Sequence, residues 1–432
     1  MTKHISIRSS LAGAFIATFA AQAAAQLPSA STRALGMGDN FTAVARGFAS
    51  VSWNPAMLGM PGNPGASLTL LPLRGVAGLG PVKLADIADY SDKFVPASQR
   101  ESWLQAIETE GSEQGNAGAD VTFIAAQIGR LGVQAGTVVR AVSNLSPGAA
   151  ELLFFGNAGR TGQPRSFNLA GSRIQSHAVS TVGLSYAIPF GKSDAPRQSS
   201  FGITAKYTIG HALLLGQDEG STVTADPSLS VKFPLVSTSE DDFNGFNVNG
   251  GNGVGVDVGF ATRSGKVTIA AAVKNVVNTF KWDETHLRFR PGTATFDQNN
   301  KTSQFDEQAF TTAPANLRQM VEDAKYKPVI AAGVGLEVSP KLTVSADARM
   351  RAGDTTIEEE PKMHIGAGAE FRVVPLLPIR VGAAIVTGGY QIGAGVGLNL
   401  GPLNLGLSVA SRKGDLGTDV VTMVTLVSTT GR

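Results

Sequence analysis

The sequence predicts an all-β fold: a transmembrane antiparallel β-barrel of about 14 strands with an N-terminal luminal plug. Three observations lead there. The first is alternation. In Ile330-Ala332-Val334-Leu336-Val338 every second residue is apolar, with Ala331, Gly333, Gly335 and Glu337 between them. The same alternation recurs from Leu342 to Met350, from Met363 to Arg372, and onward to Ala410. Successive side chains of a strand point to opposite faces, so period two means one apolar and one polar face. The second is length. These runs last about nine to eleven residues, which a tilted strand needs to cross a bilayer, whereas strands of soluble sandwiches average about five or six. The third is the order of connections, in which short turns alternate with long loops as at the two rims of a bacterial barrel.

Composition agrees with the pattern. Glycine supplies 51 of 432 residues and charged residues only 16%, against usual shares of about 7% and about 25%. Residues 1–25 read as a secretory signal: Lys3 and Arg8 lead an apolar stretch from Leu11 to Ala21, and Ala23-Ala24-Ala25 forms a small-residue cleavage site. Without that segment the formal charge of +2 falls to zero, which gives no electrostatic support for nucleic-acid binding. The chain has no cysteine, so disulfides, thiolate metal sites and lipidation at an N-terminal cysteine are excluded.

Residues 26–66 form the next expected unit. Arg33-Ala34-Leu35-Gly36-Met37-Gly38 leads into Phe41-Thr42-Ala43-Val44-Ala45, and Ser52-Trp53-Asn54-Pro55-Ala56 follows. No alternation runs through it. It reads as compact backbone with an Asn-Pro turn, too apolar for a free tail, and the barrel lumen is the place to bury it. The barrel unit is expected over 67–432. Strands are predicted near 67–73, 121–129, 131–141, 177–188, 201–210, 253–262, 266–276, 328–337, 341–350, 363–372, 379–387, 391–400, 403–411 and 419–428. One rim then carries Arg130, Pro189–Ser200, Arg263–Gly265, Val338–Pro340, Val373–Pro378 and Gly401-Pro402. The other carries 74–120, 142–176, 211–252, 277–327, 351–362, 388–390 and 412–418. Segment Ser221–Phe233 stays in a loop, because counting it as a barrel strand would move the tight Arg263–Gly265 turn to the long-loop rim.

Two loop segments read as helices. Ser98-Gln99-Arg100-Glu101 has the form of a capping box, followed by Trp103, Leu104 and Ile107. Ala313–Lys325 places Leu317, Met320, Val321 and Ala324 on one face, as a helix capping the barrel mouth would, and a ligand-gating lid is the alternative reading. Phe190, Phe201, Phe260, Tyr326, Phe371 and Tyr390 fall near strand ends, where an aromatic girdle is expected. Acidic runs at Ser239–Asp242 and Glu358–Glu360 read as solvated loop surface, since they lack the ligand spacing of a calcium loop. The chain ends Ser428-Thr429-Thr430-Gly431-Arg432 rather than in an aromatic residue, which makes the expected barrel-insertion signal atypical or internal.

Strand parity turns eight charges inward: Lys206, Asp257, Lys274, Asp347, Arg349, Glu370, Arg372 and Arg380. A lipid-facing Lys or Arg near the midplane costs about 2–4 kcal/mol, so these residues are expected to face the lumen. Glu370, Arg372 and Arg380 flank one short turn and should lie side by side. A structural network, a lock on the plug and a ligand contact are all open to them. No catalytic or phosphate-loop motif accompanies them. The glycines of Gly393-Ala394-Gly395-Val396-Gly397 share one strand face and read as close packing. No enzyme activity, metal or cofactor is expected.

The arrangement R-A-L-G-M-G, F-T-A-V-A and W-N-P-A over residues 33–56 resembles the PorV/PorQ family of outer-membrane proteins, which is similar to the fatty-acid transporter FadL. The Gly-rich paired strands of 253–411 share that family's cadence. The resemblance implies a barrel closed by an N-terminal hatch, with Gly36, Gly38, Asn54, Pro55 and Ala56 in the hatch. Location in the bacterial outer membrane, with lipid around the barrel, follows. The expected function is passive transport of hydrophobic small molecules. Two alternatives stay open: a PorV-type subunit working with secretion-system proteins, and a soluble exported β-protein.

Overall fold

The computed structural model describes residues 26–191, 197–226, 228–239, 249–297, 301–357, 360–414 and 417–431; the expected signal segment 1–25 lies outside them. Fourteen strands form one closed antiparallel ring. They are β1 (Ala66–Leu70 and Leu73–Gly80), β2 (Glu113–Ile128), β3 (Leu131–Leu145), β4 (Arg173–Phe190), β5 (Arg197–Gln217), β6 (Gly251–Ser264) and β7 (Val267–Asn278). β8 (Val329–Ser339), β9 (Leu342–Arg351), β10 (Met363–Val374), β11 (Leu377–Val386), β12 (Gly389–Leu400), β13 (Leu403–Gly414) and β14 (Gly417–Gly431) follow. Each strand pairs with its sequence neighbours, and β14 closes on both segments of β1, with Leu68 opposite Thr429 and Val76 opposite Val421. Closure leaves no free edge in the ring.

The alternation has the predicted sense. Along β8, Ile330, Val334, Leu336 and Val338 stay exposed on the outside, while Ala331, Gly333 and Gly335 are buried. The outer belt continues through Leu184, Ile203, Ile269, Ile365, Ile379, Ile392 and Leu407. An apolar belt of this kind around a closed barrel matches a hydrocarbon surrounding. Among the described residues no helix is long and apolar enough to cross a membrane, a criterion that does not touch strands. Phe190, Phe201, Phe260, Phe371 and Tyr390 are exposed as a girdle requires, but Tyr326 is not. Tyr326 is buried against Phe280, with ring centroids 6.4 Å apart, because the loop before β8 folds back over the barrel.

Four departures from the expected elements have local causes. β4 and β5 run to 18 and 21 residues. Beyond the apolar belt they keep pairing, but Leu213 and Leu215 pack under loops there, so the alternation fades before the strand ends. β1 continues to Gly80 instead of Leu73, interrupted at Leu71 (φ +51°) and Pro72, which has no N–H for the ladder. Segment 221–233 lies outside the barrel as expected, yet it is not plain loop. Its strands Thr222–Val223 and Leu229–Lys232 join Phe167–Asn168, Thr293–Phe296 and Lys301–Gln304 in a separate five-stranded sheet. Finally, the first predicted helix starts at Ala97, after Pro96, so Ser98 sits inside its first turn without capping anything.

The long-loop helices pack on their own apolar cores. Among α1 (Thr32–Gly36), α2 (Ser50–Trp53), α3 (Leu84–Ala88), α4 (Ala97–Glu110), α5 (Pro147–Phe155) and α6 (Ala315–Asp323), the last three cover the long-loop rim. In α6, Leu317 and Val321 bury their apolar face on Phe280, Trp282 and Leu287, and the Trp282 indole N–H donates to the Ala324 carbonyl at 2.9 Å. In α4, Trp103, Leu104 and Ile107 meet Ala150 of α5.

Candidate functional site

Residues 26–60 lie inside the ring. Gln134 of β3 donates to the Pro28 carbonyl at 2.6 Å, and Ser408 of β13 to the Thr32 carbonyl at 2.7 Å. Ser345 of β9 donates to the Asn40 carbonyl at 2.6 Å. The Phe48 N–H donates to Ser67 of β1 at 2.8 Å, and Asn54 donates to the Phe260 and Ala271 carbonyls of β6 and β7 at 3.4 and 3.2 Å. A segment bonded to strands on every side of a closed ring can only be within it.

Local chemistry shapes the segment. Gly38 and Asp39 both take left-handed backbone, at φ +66° and +60°, which Gly adopts freely and Asp tolerates. Asn54 is extended, and its side chain accepts the Ala56 N–H at 3.0 Å; Pro55 then opens a single 3-10 turn, Pro55–Gly59. Gly36 and Gly38 permit close approach to the wall. A Cβ on Gly38 would stand 2.8 Å from the Gly382 carbonyl carbon, and one on Gly36 would stand 3.0 Å from Ser408 Oγ. The wall replies in kind: a Cβ on Gly382 would overlap the Met37 backbone, and one on Gly202 the backbone of Pro55 and Ala56.

The eight inward-predicted charges are placed as follows. Lys206 and Asp257 form a buried pair at 2.6 Å; Lys206 also donates to Asn275 Oδ1 at 2.6 Å, and Asp257 accepts the Asn275 N–H at 2.7 Å. Lys274 and Arg349 flank the Trp53 ring, 5.4 and 4.9 Å from its centroid, which is cation–π distance. Asp347 Oδ2 accepts the N–H groups of Phe41 and Thr42, both at 2.7 Å. Glu370 is the hub of the short-turn end: Arg33 approaches at 2.8 Å, Arg380 at 2.7 Å, and Arg372 pairs with its other oxygen. Arg372 itself sits at the rim with its side chain 41% exposed.

Sequence reasoning missed the network at the opposite end. Arg74 faces Asp39, Asp120 and Glu360 at 3.8 Å each, Arg140 pairs with Asp120 at 2.6 Å, and Arg412 with Asp419 at 2.5 Å. Gln391 donates to Asp39 at 3.0 Å, and His364 bonds Asn40 at 3.1 Å, tying this network to the N-terminal segment. Strand parity carried one residue past the predicted strand ends would have found Asp120 and Arg412, and Asp419 already opens the predicted strand 419–428 on its inward-facing row. Glu360 corrects the expectation of a solvated acidic run. Burial works against its charge, but Arg349, Lys274, Arg74 and Arg412 outweigh burial and hold its carboxyl down at about 2. Glu240, Asp241, Asp242, Glu358 and Glu359 lie outside the described residues. Ser239 is buried, and its N–H donates to the His286 carbonyl at 3.0 Å.

Asp347 offers a direct test of what holds the segment. Asp347→Ala leaves two buried N–H groups without an acceptor, at about 1–3 kcal/mol each. Asp347→Asn keeps an oxygen to accept both N–H groups, while it loses the charge and turns the other carboxylate oxygen into an amide NH2. Limited proteolysis of the assembled barrel should cut within 34–58 faster in the Ala variant and only slightly faster in the Asn variant. Rates equal to the parent in both would show that Asp347 does not hold the segment.

Larger cavities lie at both ends of the lumen. One of about 300 Å³ lies among the long loops, walled by Phe280, Trp282, Val321 and Ala324 and equally by Lys281, Glu284, Glu322 and Lys325. Two of about 270 and 430 Å³ lie at the short-turn end, on either side of Arg33, Arg46 and Arg372. Among the described residues no group of three or more His, Asp or Glu is arranged to hold a metal.

Solved structures similar to this chain are distant in sequence. The toluene transporter TodX of Pseudomonas putida is 11% identical, with 94% of this chain and 98% of that one covered and a TM-score of 0.49. A FadL homologue of Pseudomonas aeruginosa is 11% identical, with 94% and 99% covered and a TM-score of 0.46. CymD, a monoaromatic hydrocarbon channel, is 11% identical, with 92% and 97% covered and a TM-score of 0.47. No curated protein matches the chain. Residues 75–409 match the model of a family of unknown function, DUF5723, and the chain belongs to that family.

Proposed function

We propose that the protein is an outer-membrane channel for hydrophobic small molecules, closed by its own N-terminal segment acting as a plug. The observation that carries this reading is the content of the lumen. Residues 26–60 fill it, yet they join no strand of the ring and are held by side-chain bonds, ion pairs and close packing. Such contacts break without disturbing the wall. The cavity among the long loops offers an incoming molecule the apolar surfaces of Phe280, Trp282, Val321 and Ala324, set beside Lys281, Glu284, Glu322 and Lys325. The apolar outer belt supports surrounding lipid and speaks against the soluble alternative. In this reading residues 1–25 direct export and are removed, the long loops face outward from the cell, and the likeness of the 33–56 motif to PorV/PorQ and FadL-like proteins has its basis in the plug.

Uptake of an apolar fluorescent dye tests the proposal. Cells carrying the protein should take up N-phenyl-1-naphthylamine faster than cells without it, and faster still with Asp347→Ala. Uptake unchanged by either would reject passive transport. One observation favours the second reading, a barrel serving protein export. The long loops build a folded five-stranded sheet outside the ring, and its outer strand Lys301–Gln304 is exposed at every residue, a surface on which another protein can pair. Deleting the gene should then leave secreted proteins in the periplasm; normal secretion would remove that reading.

A further inference from the structure

We infer that the short-turn vestibule of the barrel is a binding site for a phosphate-type oxyanion, held between arginines of the N-terminal segment and arginines of the wall. Arg33, Arg46 and Arg372 line both vestibule cavities; Arg380 lines the first and Lys266 the second. Against these five cations stand two carboxylates, Glu370 and Glu337. Neither is free to balance the rest. Glu370 already receives Arg33, Arg372 and Arg380. Glu337 is taken in a two-pronged pair by Arg263, at 2.6 and 3.1 Å, and Arg46 reaches it only at 4.0 Å.

Arg46 shows the resulting strain most clearly. Among the described residues its polar contacts are one bond to the adjacent Ala45 carbonyl, at 2.8 Å, and the distant Glu337. Burial, then repulsion from Arg33 and Arg263, lowers its pKa to about 10. A guanidinium at that value stays charged at neutral pH, so the unbalanced charge remains and attracts an anion. The opposite end of the lumen provides the contrast. There Arg140 pairs with Asp120, Arg412 with Asp419, and Arg74 faces three carboxylates, so cations and anions meet one another.

The chemistry of the donors selects the ligand. Planar guanidiniums bind oxyanions through paired N–H groups, and a phosphate presents several oxygens to forks arriving from different sides. Arg33 and Arg46 come from the segment, Arg372 and Arg380 from β10 and β11. A bound anion therefore replaces repulsion across this boundary with attraction and holds the segment in place. Free phosphate and the phosphate of a lipid headgroup at the short-turn rim share this chemistry. The site is independent of the transport reading, because binding is measured without any flux.

Titration calorimetry on the full-length protein in non-ionic detergent tests the inference, with sodium phosphate compared with sodium chloride at equal ionic strength. Dihexanoylphosphatidylglycerol below its micelle concentration forms a second arm. The expected result is saturable binding of one or both phosphate probes, weakened about tenfold or more in the Arg46→Gln/Arg372→Gln variant. Lys362→Gln, in an exposed pair with Asp354 at the other end, should bind as the parent does. Binding of inorganic phosphate identifies the free anion as ligand, and binding of the lipid alone identifies a headgroup. No saturable binding of either, or equal loss in the arginine and Lys362 variants, overturns the site. Should Arg46→Gln prevent assembly, Arg372→Gln at the exposed rim carries the same comparison.

Discussion

Removal of residues 34–58 is expected to turn a closed barrel into a conducting pore. Eight-stranded barrels are filled by their own side chains, while those of about 16 to 18 strands leave an aqueous channel. This ring of fourteen lies between, and its inward faces are unusually small, with Gly333, Gly335, Gly366, Gly368, Gly382, Gly393 and Gly395 pointing at the segment. The volume is filled instead by Leu35, Met37, Phe41, Trp53 and Met57, all buried. Without them the lumen loses its apolar filling, and water enters among the charged side chains that remain on the wall. Single channels in planar bilayers should be silent for the parent and open for the deletion. An assembled deletion variant that stays silent would mean that the long loops close the barrel. Gly382→Ala reaches the same end without deletion. The added methyl meets the Met37 backbone, which cannot rotate aside as a side chain can; intermittent opening is the expected trace.

The second large effect concerns the outer face. Val334 lies at the middle of β8 and is 45% exposed on the outside of the ring. Lysine there faces hydrocarbon near the midplane, at a cost of about 2–4 kcal/mol. Ala367, near the middle of β10 and also exposed, should respond to lysine in the same way. Asp347→Asn, on the inner face of the neighbouring β9, alters a group that never meets lipid. The heat-stable barrel recovered from membranes should therefore fall sharply for Val334→Lys and Ala367→Lys and stay near the parent level for Asp347→Asn. Equal recovery for all three would show that the outer belt does not face a bilayer.

Much of this architecture was legible in the residues because β-structure writes itself at period two. The alternation from Ile330 to Val338 identifies an inner and an outer face without any partner. The tight turns at Arg263–Gly265 and Gly401-Pro402 order the rims, and that order correctly kept 221–233 out of the ring. Where the pattern failed, a second packing partner had intervened. Leu213 and Leu215 point inward but pack under loops, and Tyr326 follows them, so apolar residues no longer mark the lipid side. The capping box at Ser98 was a local signal overridden by Pro96 one residue before the helix begins.

The inward charges show the same boundary more sharply. Parity is a property of one strand, so Glu370, Arg380 and Asp347 could be assigned a face from the sequence. Which group each one meets depends on the register of distant strands and on the path of a segment more than 300 residues away in the chain, as in the Asp347 bonds to Phe41 and Thr42. The imbalance at the short-turn end was likewise invisible, because Arg46 carries no periodic signal and Glu337 of β8 is claimed by Arg263 of β6 only across the intervening β7. The sequence by itself determined the strand faces, the approximate strand number and the order of the rims, since these rest on local geometry repeated along the chain. Only the tertiary structure decided where residues 26–60 rest, which charges pair, and where positive charge is left over, since closing the ring is what brings those groups together.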